Sequence, residues 1–151
     1  MENAIVTYLA DRQCSSQWKG FLQNLAEVLA SVGSETELKS LAHRAGMRFA
    51  SQQPLPACDT LDDIRLAMCA VWHPLDWGWV ELYEHPTHLQ IVHRCSPLVA
   101  GFGSTHALWV SGYLEGAYQQ WFDALGSDTS LRVQQAGPID AFGTVDMKLA
   151  Q

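Results

Sequence analysis

Between Gln17 and Val32 the apolar residues Trp18, Phe21, Leu22, Leu25, Val28, Leu29 and Val32 recur every three or four positions. That period predicts an amphipathic helix with one broad apolar stripe. Gly33 stands where a helix C′ residue belongs. Ser34-Glu35-Thr36-Glu37 has the spacing of a capping box, so a second helix begins there. Its buried face is Leu38, Leu41, Ala42, Ala45 and Phe49, and the pair reads as a helical hairpin. After the short linker around Pro54 and Pro56, Thr60 and Asp63 cap a third helix. Leu61, Ile64, Met68, Val71, Trp72 and Leu75 form its stripe, and it stops near Pro74. Residues 1 to about 14 carry no clear period and read as an arm or a short helix.

The period then changes to two. Trp77 to Tyr83 and Leu89 to His93 alternate as half-buried strands do, and the turn between them holds Pro86. In the first strand Val80 and Leu82 point one way, and Trp79, Glu81 and Tyr83 the other. Ser96 to Thr105, with Pro97, Gly101 and Gly103, reads as loop. A helix from Trp109 to Leu125 follows, apolar at 110, 114, 117, 118, 121 and 125. Gly112 and Gly116 lie four apart on one side of it. Each costs roughly 1 kcal/mol against Ala, so the pair predicts another backbone packed close to that face. Leu131 and Val133, then Val145, Met147 and Leu149, alternate again and make a second hairpin. The expected architecture is one α+β domain over residues 1–151, with N-terminal helices and one long central helix on a small antiparallel sheet of two β-hairpins.

Composition narrows the functional classes. Of 151 residues, 48% are hydrophobic, enough for a sizeable core, and only 17% are charged. So low a charge content predicts that some nominal surface is covered by subunit contact. Trp72, Trp109, Gly112 and Gly116 are the interface candidates, on the third helix and the Trp109–Leu125 helix, with the N-terminal hairpin contributing. A formal charge of −7 argues against nucleic acid or anionic lipid as partner. No stretch approaches the roughly 20 apolar residues of a membrane span. The opening residues lack a basic region and make a poor signal peptide. Cys14, Cys58, Cys69 and Cys95 fit no Cys-x-x-Cys pattern and read as free thiols in a reducing compartment, which places the protein in the cytoplasm.

Candidate chemistry is sparse. His85, His88 and His93 form the closest histidine group, but no cysteine stands at ligand spacing beside them and no helical His-x-x-x-His occurs. His93 shares a strand face with Leu89 and Ile91, so it reads as a hydrogen-bonded core residue. A cysteine nucleophile needs an activating base, and none of the four cysteines stands in a recognisable catalytic context; no nucleophile elbow, P-loop or dinucleotide fingerprint is present. Asp62-Asp63 and Glu35/Glu37 sit at helix starts, where the macrodipole accounts for them. No catalytic residue, metal ligand or cofactor is assigned. Trp18, Trp72, Trp109 and Trp121 lie on apolar helix stripes and read as core or interface. Trp79 points away from Val80 and Leu82, with Tyr83 on the same strand face; because a Trp ring stacks on the C–H face of a glucose ring, the pair is the candidate contact for a protein partner or a glucan.

The central stretch resembles the cellulose biosynthesis accessory protein D family, the D subunits encoded in bacterial cellulose synthase operons. The matching residues are Trp77-Gly78, Val80, Leu82, Leu89, Ile91-Val92-His93, Trp109, Leu114-Glu115-Gly116, Tyr118 and Trp121. Upstream, Phe21-Leu22-Gln23, Gly46-Met47, Pro56, Cys58, Thr60 and Leu61 also match. The likeness runs from about Phe21 to Leu149 and weakens beyond Val133; the hairpin turn is shorter and the first twenty residues are dissimilar.

The resemblance implies a non-catalytic accessory protein of bacterial cellulose secretion that helps order glucan export. It implies a homo-octamer, a ring built from dimers, working with other secretion subunits in the cytoplasm beside a proline-rich partner, or else in the periplasm. Family N-termini have been proposed to line β-1,4-glucan paths, and no glucan contact is carried over to the unmatched region. A second reading competes. Gly112-Tyr113-Leu114-Glu115-Gly116 before a hairpin also resembles vinyl-reductase-type ligand-binding domains and TRAPP trafficking subunits, which implies a small-molecule sensor or trafficking-type domain. An apolar cavity within the protomer would favour that alternative; a solid core and a self-assembling surface would favour the first.

Overall fold

The computed structural model describes all residues, Met1–Gln151. Helices α1 (Glu2–Asp11), α2 (Ser16–Val32), α3 (Glu35–Gln52) and α4 (Leu61–Trp72) come first, and a 3-10 turn at His73–Leu75 leads into β1 (Trp79–Glu84) and β2 (Leu89–Arg94). Helices α5 (Leu98–Phe102), α6 (Ser104–Val110) and α7 (Gly112–Ala124) follow, then β3 (Arg132–Gln135) and β4 (Val145–Ala150). The expected capping boxes form: Ser34 Oγ accepts from Glu37 N–H while Glu37 accepts from Ser34 N–H, and Thr60 with Asp63 does the same. Gly33 ends α2 in an extended rather than left-handed conformation, and Ser34, extended as an N-cap residue is, follows it directly and caps α3.

The two hairpins join into one antiparallel sheet in the order β1-β2-β4-β3. Pairing brings Leu82, Ile91 and Met147 into one row and Leu89, Leu149 and Val133 into the next, so the apolar residues of all strands share a face. α7 fills that face. Leu114, Ala117, Tyr118, Trp121 and Phe122 are buried, and so are Glu115, Gly116 and Gln119, because α3 covers the other side of the helix. The interior is a stack of rings: Phe49 on Trp72 at 5.2 Å and Trp72 on Trp77 at 5.5 Å, with Trp121 edge-on to Trp72 at 5.3 Å.

The close approach expected at Gly112 and Gly116 occurs, and the approaching backbone is the chain's own α3. A Cβ on Gly116 would overlap the His43 carbonyl oxygen, one on Gly112 would press on the Lys39 carbonyl, and one on Gly46 would overlap the Tyr113 carbonyl. Lys39 Nζ reaches Glu115 Oε1 at 2.9 Å across the same contact.

Three expectations need correction. The Trp109–Leu125 helix is two helices, broken at Ser111, where a Ser-Gly pair interrupts it and Ser111 Oγ donates to Gln135 Oε1 of β3 at 2.8 Å. The Ser96–Thr105 loop contains α5, and α6 already begins within it; Gly103 at φ +82° makes the corner between them. The α2 stripe is only half buried: Ala26 is enclosed, with Leu22 and Leu29 beside it partly so, but Trp18, Phe21, Leu25, Val28 and Val32 face outward.

Candidate functional site

The sheet face opposite α7 carries the candidate site. Alternation along β1 sends Trp79, Glu81 and Tyr83 to that face, and the β1–β2 register sets Arg94 opposite Trp79. Glu81 ties the group together. Its carboxylate accepts from Trp79 Nε1 at 3.2 Å, from Tyr83 Oη at 2.6 Å and from the Arg94 guanidinium at 3.1 and 3.3 Å. Those bonds, Arg94's first, then Tyr83's, hold the Glu81 carboxyl down at about 2. Tyr83 is pushed the opposite way by its bond to Glu81. Trp79 and Tyr83 remain 46% and 47% exposed. With their polar ends occupied by Glu81, what the two side chains still offer at the surface is mainly aromatic ring.

An open cleft of about 440 Å³ adjoins Trp79. Leu9, Arg12, Gln13, His73, Asp76, Gly78 and Cys95 complete its lining. Gln13 Nε2 donates to the Cys95 carbonyl, which fastens the end of α1 to the sheet. Burial pushes the Cys95 thiol up, away from the reactive thiolate. An aromatic ring beside Arg, Gln, His and Asp suits a ligand with one apolar and one hydroxylated side.

The interface candidates lie elsewhere. Trp72 is fully enclosed at the centre of the ring stack, and Gly112 and Gly116 receive α3. These three have no surface left for a second copy. Trp109 keeps only 9% exposure, with Nε1 donating to His106 Nδ1 at 3.3 Å while His106 Nε2 donates to Glu27 at 2.9 Å.

His93 is the core histidine expected. Its Nε2–H donates to the Trp77 carbonyl at 2.6 Å, which leaves Nδ1 to accept from Tyr118 Oη at 2.6 Å. Burial lowers His93 to about 4, so it stays neutral at pH 7. His85 and His88 stack at 4.6 Å on the hairpin turn, His85 held by Gln90. No three His, Cys, Asp or Glu side chains converge at metal-ligand spacing.

Sequence reasoning missed the residues that close the sheet edges. Cys69 of α4 bridges the outward N–H and C=O of Val80 through its Sγ, both at 3.5 Å. Gln119 of α7 accepts from Val133 N–H at 2.8 Å and donates to the Leu131 carbonyl at 3.1 Å. Both edge strands are thus capped by side chains along part of their length, which discourages strand addition there. No local signal marked them, since neither Cys69 nor Gln119 lies on the apolar stripes of its helix.

Comparison with known proteins supplies the context. The family model that describes the D subunit of cellulose synthase matches residues 4–147. A cellulose synthase operon protein D of Komagataeibacter xylinus is 32% identical over 104 residues, covering 67% of this chain and 66% of that protein. Another protein of that name from the same organism is 30% identical over the same length, and one from Komagataeibacter sucrofermentans is 29% identical. The chain is thus aligned to just under two thirds of these curated relatives, 66% of their length. The family match opens at residue 4, so it reaches into the first twenty residues, where no likeness was expected. No helix is long and apolar enough to cross a membrane.

Proposed function

This chain belongs to the family of cellulose synthase D subunits, and on that basis we propose that it is a non-catalytic accessory subunit of bacterial cellulose secretion. In this reading it self-assembles and holds synthase complexes side by side, so that glucan chains emerge close together and in parallel. The observation that carries the docking half of the proposal is the Trp79–Glu81–Tyr83 platform. Two rings held by one carboxylate, itself paired with Arg94, form an aromatic surface, which suits a proline-rich partner segment. The filled interior, with Trp72 packed against Phe49, Trp77 and Trp121, supports this reading over the ligand-sensor alternative. Cys14, Cys58, Cys69 and Cys95 are free thiols, which suits the cytoplasm. Recovery of the protein from the periplasm with disulfides formed would overturn that placement.

The test is complementation of a strain lacking the gene. Polymerisation by isolated membranes should stay near normal, while cells make less cellulose and less ordered cellulose. A chain with Trp79→Ala and Tyr83→Ala should fold and yet fail to restore order; full restoration would sink the platform's role. A second reading, direct glucan contact, draws on the cleft beside Trp79. Saturable binding of cello-oligosaccharides below millimolar concentration, lost in Trp79→Ala, would replace the scaffold reading with that one.

A further inference from the structure

The outward half of the α2 stripe is an apolar seam with nothing of its own chain on it. Trp18, Phe21, Leu25, Val28 and Val32 are 54%, 57%, 42%, 61% and 78% exposed. They fall at spacings of three and four along one face, over more than three helical turns. The only charged residues of α2 are already engaged: Lys19 donates to the Asp11 carbonyl and Glu27 pairs with His106.

We propose that this seam is the surface on which two copies of the chain pair, α2 against α2 in antiparallel fashion about a twofold axis near Leu25. Three observations single out a second copy as occupant. The ends of the seam are symmetric about Leu25, seven residues to either side, so a twofold axis there sets Leu25 against itself, Trp18 beside Val32 and Phe21 within one residue of level with Val28. Each large ring then meets a small β-branched side chain, whereas parallel pairing would stack Trp on Trp and leave Val against Val. The chain carries −7 and repels its own kind, so the electrostatic cost of pairing is lowest on a face without carboxylates, and this face has none. The seam offers roughly 500 Å² of apolar surface per copy, so the pair would bury about 1,000 Å², the floor for a specific interface.

The proposal supplies the dimer step of the self-assembly in the functional reading and rests on it. The test is the mass in solution of the full chain with Phe21→Glu and Val28→Glu, by light scattering at micromolar concentration. The parent is expected as a dimer or a multiple of it, and the variant as a monomer with the parent's circular dichroism. A monomeric parent overturns both the seam and the self-assembly it serves. An oligomeric parent with an equally oligomeric variant overturns the seam alone. Cysteine cross-linking, with the native cysteines replaced by serine, decides the geometry whether or not the charged variant folds. Trp18→Cys should link to Val32→Cys in a mixture and neither to itself, while Leu25→Cys should link to itself. Trp18→Cys linking to itself, or no link at all, rejects the antiparallel pair.

Discussion

At residue 93 a histidine lies in the core with both ring nitrogens occupied, by the Trp77 carbonyl and the Tyr118 hydroxyl. Protonation would force Nδ1 to donate toward a group that now donates to it, and would bury a charge beside Trp72. Its folded value of about 4 lies below the unfolded value near 6.5. The unfolded chain therefore takes up this proton first as pH falls. The contribution of His93 to stability is intact above about pH 6.5, declines between there and pH 4, and changes no further below. The gap corresponds to about 3 kcal/mol. Calorimetry from pH 7 to pH 4 should show the loss, and His93→Gln should be less stable at pH 7 but flatter across that window. An unaltered slope in the variant would assign the acid sensitivity to another group. Glu81 behaves differently on the opposite face of the sheet: its carboxyl, held at about 2, stays ionised and paired with Arg94 throughout the same window.

Among the elements, the glycines give the sharpest prediction. In an exposed helix interior Gly→Ala stabilises by up to about 1 kcal/mol. Gly20 on α2 has open space where a Cβ would go, so Gly20→Ala should follow that rule. Gly116 faces the His43 carbonyl, and backbone cannot move aside as a side chain can, so Gly116→Ala should reverse the sign and destabilise by about 1–3 kcal/mol. Urea unfolding of the two variants measures the contrast; two changes of the same sign would disprove the packing account. The helices and hairpins were legible because their signals are local: Ser34 with Glu37, Thr60 with Asp63, and alternation along Trp79–Tyr83. The outward aspect of Trp79 and Tyr83 was legible for the same reason. The break at Ser111 was not, because the apolar spacing runs on from Val110 to Leu114 as if the helix continued. The bare half of α2 was not, because period tells which residues share a face and not how far a neighbour extends across it. Arg94 on Glu81, Cys69 on Val80 and Gln119 on Val133 depend on which elements meet in space, and no local pattern encodes that.

On the scale of the whole molecule, the two surfaces proposed to act are physically separate sets of residues: the seam on α2 and the platform on β1. An array needs both. A platform gives one copy one partner at its intrinsic affinity, and a closed oligomer repeats that contact at fixed spacing. The second engagement then occurs at the high effective concentration set by the assembly rather than at bulk concentration. The two functions can therefore be uncoupled. The chain with Phe21→Glu and Val28→Glu keeps Trp79, Glu81 and Tyr83 untouched, so one copy should bind a proline-rich partner segment as tightly as one site of the parent. On a surface bearing many such segments, the parent should bind about 10²–10⁴-fold more tightly than the variant, since avidity is lost with assembly. In cells the variant should occupy its partner and still fail to restore ordered cellulose. Trp79→Ala with Tyr83→Ala should do the reverse: keep the parent's mass in solution and lose the partner. If the monomeric variant restores cellulose order as well as the parent does, arraying is not how this protein acts, and the platform alone must account for its effect.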